Sequence, residues 1–250
     1  MKALILAAGE GTRLRPLTYG IPKPLLPVAG TPTIDYVIEN VLNCQEIDGI
    51  FVGVSHLENA IENYFSNKKY RVPVKTVHTP CNETGGDLKV LGKTAEISGT
   101  FLACNGDNIT EIDLTPVVQF HREKHALATI VLFKVPDSDV TRFGIADIDE
   151  NGKVRKFVEK PALEDAPSNL AHAGYVVMES EILDRIPEGK TRIERDTLTK
   201  VAEEGKLYGY VVEPPHWLDI GTLDSYLEAN KIILQQKGIV PPPAGEANNG

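Results

Sequence analysis

The sequence predicts an α/β protein with a doubly wound, mixed but mostly parallel sheet and a hairpin-rich subregion inserted in its second half. Three observations carry that expectation. Short apolar runs alternate with helix-period segments through roughly the first half of the chain, the runs are continuously apolar as in strands covered on both faces, and after about residue 140 the spacing shortens to hairpins.

Ala3 to Ala7 reads as a buried opening strand. Met1 to Ala8 puts a positive charge ahead of an apolar run, as a secretion signal does, but the run is too short and leads into Gly9-Glu10-Gly11-Thr12-Arg13 with no cleavage region. A cytoplasmic protein is therefore expected. A helix follows, with Ile34, Val37, Ile38, Val41 and Leu42 on one face, Thr31 placed to cap it and Pro32 at its first position. Ile50 to Val54 is the next strand, and Ser55-His56-Leu57-Glu58 has the form of a capping box opening a helix whose inner face is Leu57, Ile61 and Phe65. Val74 to Val77, Phe101 to Cys104 and Ala126 to Phe133 continue the crossover pattern. The hairpin falls at Gly144 to Asp149 and Lys153 to Val158, about a turn at Glu150-Asn151-Gly152. A strand at Ala171 to Met178, a helix around Arg195 to Glu204, a strand at Leu207 to Val212 and a helix near Thr222 to Gln236 complete one domain over residues 1–236. Residues 237–250, with Pro241-Pro242-Pro243, hold too few apolar side chains to pack and read as a disordered tail.

Composition narrows the function. The 250 residues contain 26 Lys and Arg against 35 Asp and Glu, a formal net charge of -9, the wrong sign for a partner of nucleic acid. No apolar run approaches the about eighteen residues of a membrane span, so no membrane partner is expected. Cys44, Cys81 and Cys104 are odd in number and scattered, with no CxxC pair, which excludes a disulfide framework or zinc site and fits a reducing compartment.

The informative segment is Leu4-Ile5-Leu6-Ala7-Ala8-Gly9-Glu10-Gly11-Thr12-Arg13-Leu14-Arg15-Pro16-Leu17-Thr18, continuing to Pro22-Lys23-Pro24-Leu25-Leu26-Pro27-Val28. A strand runs into a glycine-containing loop in which backbone N–H groups can approach an anion or a base edge without a Cβ in the way. A dinucleotide fingerprint would need a third glycine where Leu14 stands. Arg13, Arg15 and Lys23 concentrate positive charge beside the loop of an acidic protein, and Arg13 and Lys23 could clamp a polyphosphate; as isolated residues they would be solvated surface charges.

The whole segment resembles the signature of the sugar-1-phosphate nucleotidylyltransferases, G-x-G-T-R-L-x-P-L-T followed by P-K-P-L-L-P-V. Thr84-Gly85-Gly86-x-Leu88, Asn105-Gly106-Asp107, Phe143-Gly144, Phe157-Val158-Glu159-Lys160-Pro161, Ala173-Gly174 and Trp217-Leu218-Asp219-Ile220-Gly221-Thr222 resemble further family elements, in family order. The resemblance implies the Rossmann-like nucleotide-diphospho-sugar transferase fold, with about residues 1–135 as a nucleotide-binding half and about 136–236 as a sugar-binding half. It implies transfer of a nucleotidyl group from a nucleoside triphosphate to a hexose 1-phosphate, giving a nucleotide sugar and pyrophosphate. The substrate sugar phosphate is already largely dianionic at neutral pH, so no His or Cys nucleophile is needed. Cations must converge where the charges meet.

On the same resemblance, Asp107 and Asp219 are the ligands of one Mg²⁺, hard oxygens suited to it. Lys23 steadies the α-phosphate and sugar phosphate, Arg13 the departing pyrophosphate, and Lys160 the sugar phosphate, with Arg15 as support. The nucleotide is met by Ala8, Gly9, Gly11, Thr12 and Arg13, and by the loop at Glu83, Thr84 and Gly85. Gly144, Glu159, Lys160 and His172 serve the sugar side, where Glu159 accepts sugar hydroxyl hydrogen bonds.

Other signals fall away. Five residues separate Gly86 from Gly92-Lys93-Thr94 where a P-loop needs four. His121 and His125 have zinc-helix spacing, but Arg122 replaces the catalytic Glu, so a solvated helix face is expected. Cys104 reads as a small apolar filler. Departures from the family pattern leave the substrate open. His172 stands where relatives usually have Asn, Asp87 where many have a small residue, and Glu83 where the common loop has Gly. A Glu there either accepts from guanine N1–H and the 2-amino group or faces water. The glucose-1-phosphate thymidylyl- or uridylyl- and mannose-1-phosphate guanylyltransferase types all remain open, as does homo-oligomerisation. The alternatives are a non-catalytic regulatory subunit of the same fold and a cytidylyltransferase for phosphocholine, which would need an aromatic or acidic cage around Trp217. The chain ends too soon for a C-terminal β-helix, so no acetyltransferase or large allosteric domain is expected.

Overall fold

The computed structural model describes residues 1–241; the rest of the predicted tail lies outside the described residues. Strand β1 (Lys2–Leu6) leads into the signature loop, which folds as three single turns of 3-10 helix at Thr12–Leu14, Leu17–Tyr19 and Lys23–Leu25. Two-residue strands β2 (Pro27–Val28) and β3 (Thr31–Pro32) pair across Ala29-Gly30, and α1 (Thr33–Asn43) follows. Then come β4 (Gly49–Val54), α2 (Glu58–Ser66), β5 (Val74–His78), α3 (Glu83–Thr94) and β6 (Thr100–Asn105). Beyond Gly106-Asp107 lie β7 (Asn108–Thr110), α4 (Thr115–Glu123) and β8 (Ala128–Lys134). The predicted hairpin is β9 (Gly144–Ile148) and β10 (Val154–Glu159), followed by β11 (Leu170–Glu179) and α5 (Ile182–Arg185). A π turn at Glu194–Leu198 precedes α6 (Thr199–Glu203), and β12 (Leu207–Val211), β13 (Trp217–Asp219) and α7 (Leu223–Gln236) close the fold.

Among the described residues the main sheet has nine strands, in the path β10-β9-β11-β6-β1-β4-β5, with β8 joined to β11 and β12 to β8. Pairing is parallel from β6 through β1 and β4 to β5, whereas β11 runs antiparallel to β6, β8 and β9. The hairpin extends this sheet. Ala3 and Ile5 pack into one core with α1, Leu4 into the opposite core with α3 and α6, which is why β1 is apolar at every position after Lys2. Burying Leu4 and Ile5 stabilises the fold by about 1.5–3 kcal/mol each. A third cluster joins Leu14, Leu26 and Val28 of the signature loop to Ile109, Ile220 and α7, so the loop has a small core of its own.

Three local expectations fail. Helix α1 begins at Thr33 because Thr31 and Pro32 are drawn into β3; the Thr33 N–H and hydroxyl instead both donate to the Leu26 carbonyl, at 3.0 and 2.8 Å. No capping box forms at Ser55. Leu57 adopts left-handed φ 53 at the head of α2 and is 36% exposed, which leaves Ile61 and Phe65 as the buried face. The capping box of this chain joins Thr222 and Ser225 at the start of α7. His121 is not solvated: it faces the sheet, fully buried, with Nδ1 2.9 Å from the Thr129 hydroxyl and Nε2 3.2 Å from Glu179. Burial pushes its pKa down. His125 falls past the end of α4, so the zinc-like spacing places no pair on one helix face. Among the described residues no helix is long and apolar enough to cross a membrane.

Candidate active site

A cleft of about 770 Å³ opens beyond the carboxyl ends of β1 and β6, the pair from which the parallel sheet grows in opposite directions. In open α/β sheets that reversal point is where ligands bind. The loop Ala8 to Arg13 forms one wall, Asn105-Gly106-Asp107 the floor, and Cys81, Glu83, Thr84 and Asp87 the opposite wall. Gly11 has φ 63, and a Cβ there would lie 3.0 Å from Thr18 Cγ2 and 3.2 Å from Lys23 Cβ, so glycine lets the loop close on Lys23. The Thr18 hydroxyl donates to the Gly11 carbonyl at 2.9 Å and fixes that closure. The Gly106 N–H donates to Leu6 O at 2.9 Å, which brings Asp107 beside the loop.

Three charged groups of the cleft lining, Arg13, Lys23 and Asp107, meet a fourth, Asp219, beside it. The Lys23 ammonium contacts the Asp107 carboxylate, with side chains only 13% and 31% exposed. Asp219 lies on β13, which pairs with β7 so that Asp219 stands opposite Asn108, the residue after Asp107. Burial and then the negative charge of Asp107 push the Asp219 carboxyl up, opposed by Lys23 and Arg13. Arg13 reaches in from the loop. A Cβ on Gly221 would sit 3.1 Å from its Nη2 and 2.8 and 2.9 Å from the Asp219 oxygens, so glycine makes room for both. Two neighbouring carboxylates in a partly desolvated site want a compact counter-cation, and their oxygens suit a hard divalent ion. Among the described residues no group of three or more His, Cys, Asp or Glu could hold a metal, so such an ion would complete its shell with substrate oxygens and water.

The bulge in β11 between His172 and Val176 sets this arrangement. It turns the Ala173 carbonyl towards both β7 and β13, accepting from Asn108 Nδ2 at 3.3 Å and from Trp217 Nε1 at 3.0 Å. Gly174 at φ 82 makes the bulge, and a Cβ there would lie 2.4 Å from Asn108 Nδ2 and 3.0 Å from Asn105 Nδ2. Trp217 stacks on Phe133 at 5.0 Å and meets Phe143 edge-on, so its ring is engaged in packing.

The predicted sugar-side residues form a second group. Glu159 pairs with Gly144 across the hairpin, where a Cβ on Gly144 would be 2.8 Å from the Glu159 carboxylate. Burial raises the Glu159 pKa, and Glu194 raises it further. His172 is pushed down by burial and faces the same Glu194. Lys160 is exposed, 3.9 Å from Glu159. Glu194 ties this group to the cleft, since its carboxylate accepts from the Thr84 hydroxyl at 2.7 Å.

The structure brings Ala8, Gly9, Gly11, Thr12, Arg13, Lys23, Glu83, Thr84 and Asp107 together around one cleft. Two nucleotide-loop expectations change. Glu83 to Gly85 is the first turn of α3 rather than a loop, and the Gly85 N–H is used by Thr191 O at 2.8 Å. A Cβ on Gly85 would be 2.9 Å from that oxygen, so this glycine serves close packing of α3 on the 191–193 segment. The Glu83 carboxylate is held by Arg192 at 3.0 Å and Lys190 at 3.8 Å. Sequence reasoning misses Lys190, Arg192 and Glu194, which lie about 110 residues from Thr84 and carry no local signal. It marks Asp87 only as a departure.

A family model described as nucleotidyl transferase matches residues 2–236. The chain is 37% identical over 251 residues to a UTP–glucose-1-phosphate uridylyltransferase of Synechocystis sp., covering 95% of this chain and 64% of that protein. It is 33% identical over 254 residues to a mannose-1-phosphate guanylyltransferase of Mycobacterium tuberculosis, covering 99% and 68%. The chain thus spans about two thirds of the length of these relatives. A solved UDP-glucose pyrophosphorylase complexed with UDP-glucose shares the fold, with TM-score 0.83 at 22% identity over 94% of this chain and 98% of that one.

Proposed function

The chain belongs to the sugar-1-phosphate members of the nucleotidyl transferase family, and from that premise we propose that it joins a nucleoside triphosphate to a hexose 1-phosphate. The observation that carries this reading is the convergence of Arg13, Lys23 and Asp107 on the lining of one cleft beside the glycine loop, with Asp219 next to Asp107. The sugar phosphate oxygen attacks the α-phosphorus, the bond from that phosphorus to the bridging oxygen breaks, and pyrophosphate leaves with the electron pair. No side chain needs to remove a proton, because the attacking monoester is already ionised.

The protein's task is to hold two anions together and to neutralise charge as it moves. Lys23, positioned by the Gly11–Thr18 closure, is placed to bridge the two reacting phosphates. Arg13, beside Gly221, is placed to meet the leaving pyrophosphate. Backbone groups of Ala8, Gly9, Gly11 and Thr12 line the nucleotide side, while Gly144, Glu159, Lys160 and His172 form the sugar side. His172, its pKa lowered by burial, gives its Nε2–H to the Tyr175 carbonyl at 3.4 Å and leaves Nδ1 to accept from a sugar hydroxyl. Mg²⁺ held by Asp107 and Asp219 would supply Lewis-acid neutralisation of the triphosphate. A reducing cytoplasm suits the three free cysteines.

The test is pyrophosphate release across a matrix of nucleoside triphosphates and sugar 1-phosphates, with phosphocholine included. A preferred pair is expected, and Asp107→Asn should abolish turnover. An unchanged rate in that variant, or no release with any pair from folded protein, would sink the proposal.

A further inference from the structure

Glu83 is not the carboxylate free to read a base, because Arg192 and Lys190 hold it. Asp87, one helical turn further along α3, lies on the nucleotide side of the cleft and is 6% exposed. One of its oxygens, Oδ1, accepts from the Asn82 N–H at 2.9 Å. The carboxylate has no ion-pair partner among the described residues, and the neighbouring Thr79 hydroxyl, itself buried, is left without a well-formed hydrogen bond. Cys81, on the same wall, donates its thiol to the Ala8 carbonyl at 3.1 Å, so the segment leading into α3 is tied to the glycine loop. A buried carboxylate with no ion-pair partner is costly. Burial raises the Asp87 pKa accordingly, against the smaller opposing pull of the Asn82 N–H and Thr79.

We infer that Asp87 is a specificity-determining residue that selects a guanine nucleotide, an inference that rests on the nucleotidyl-transfer reading of the same cleft. Guanine presents two adjacent donors, N1–H and the 2-amino group, to one carboxylate. Uracil and thymine present a single N3–H flanked by two carbonyl oxygens, both of which the carboxylate repels. Adenine and cytosine place one amino group beside a ring nitrogen acceptor, so they fill one donor position at most. The Asn82 bond holds the carboxylate in place before the base arrives, so the contact needs little ordering on binding.

The experiment measures equilibrium binding of GTP, UTP, dTTP, ATP and CTP to the full chain by calorimetry without sugar phosphate, then pyrophosphate release with each. The expected wild-type preference for GTP over UTP is about 10- to 100-fold, the range for a well-placed pair of polar contacts. Asp87→Ala should collapse that ratio to within about threefold while thermal unfolding confirms the fold. Asp87→Asn keeps an acceptor for the Asn82 N–H and gains a donor for a pyrimidine carbonyl, so its ratio should shift towards UTP with the fold intact. Wild-type protein that binds UTP or dTTP as tightly as GTP overturns the inference even if transfer proceeds. So does a GTP preference that survives Asp87→Asn but is lost in Glu83→Gln. GTP preference in binding with no pyrophosphate from any pair would instead sink the transfer reading and leave the role of Asp87 standing.

Discussion

Replacing Gly174 by alanine tests whether the β11 bulge positions the two aspartates. The new Cβ would fall 2.4 Å from Asn108 Nδ2, far inside contact distance, on backbone already at φ 82. The left-handed conformation costs a non-glycine residue about 1–2 kcal/mol. Displacing Asn108 forfeits its bond to Ala173 O, about 1 kcal/mol, and overpacking adds about 1–3 kcal/mol. The expected destabilisation is about 3–6 kcal/mol, or a fall in Tm of about 6–24 °C for a domain of this size. Gly99 is the internal control, because it has φ 75 with nothing within 4 Å of the place a Cβ would take. Gly99→Ala should lose only the backbone cost, about 1–2 kcal/mol. Asn108 adjoins Asp107 and stands opposite Asp219, so a shift of about 1 Å should also cost about 100-fold in kcat. Melting curves and pyrophosphate release on both variants give the comparison. A Gly174→Ala protein no less stable than Gly99→Ala, or one with wild-type kcat, would refute the reasoning.

Lys23→Met should reduce kcat by about 100- to 1,000-fold with the fold retained, since it removes a preorganised cation from the reacting phosphates; a loss under about tenfold would remove Lys23 from that role. Chelation with EDTA should stop pyrophosphate release and added Mg²⁺ restore it, with Asp219→Asn needing a higher Mg²⁺ concentration for half-maximal rate; an EDTA-insensitive rate would exclude the proposed ion. His121 has its folded pKa lowered by burial, so the unfolded chain takes up a proton that the native state resists. Stability should therefore fall as pH drops below about 6.5, the unfolded imidazole value, and His121→Asn should flatten that slope in denaturant titrations.

Much of this is legible in the sequence because short-range rules dominate where strands are continuously apolar. β1, α1, the hairpin and α7 depend on periodicity and turn chemistry, and all four stand close to their predicted bounds. The failures have separate causes: Thr31 is drawn into a short strand pairing with Val28, Leu57 takes a left-handed backbone two residues after Ser55, and Glu83 is held by distant cations from the 190s. In sequence Gly85 suggests freedom for a ligand, yet its N–H and that of Gly86 both bond Thr191 O, which no nearby residue announces. Arg13, Lys23 and Asp107 are legible from their motif; Glu194 is not, because its link to Thr84 exists only after the 190s segment docks on α3.

Strand β11 is hydrogen-bonded to β8 along one edge and to β6 and, at Ala171, β9 along the other, and its bulge also supports the strand bearing Asp219. The boundary near residue 135 is therefore not a place to cut. A fragment ending there would leave β6 and β8 with unpaired edges and β7 without both its partner β13 and the Ala173 carbonyl. A chimera joined there would have to re-form every one of those pairings with a foreign β11. On the proposed reading, substrate preference is better transplanted as small segments, such as the wall bearing Asp87 or the β11 segment bearing His172, set into a frame kept whole.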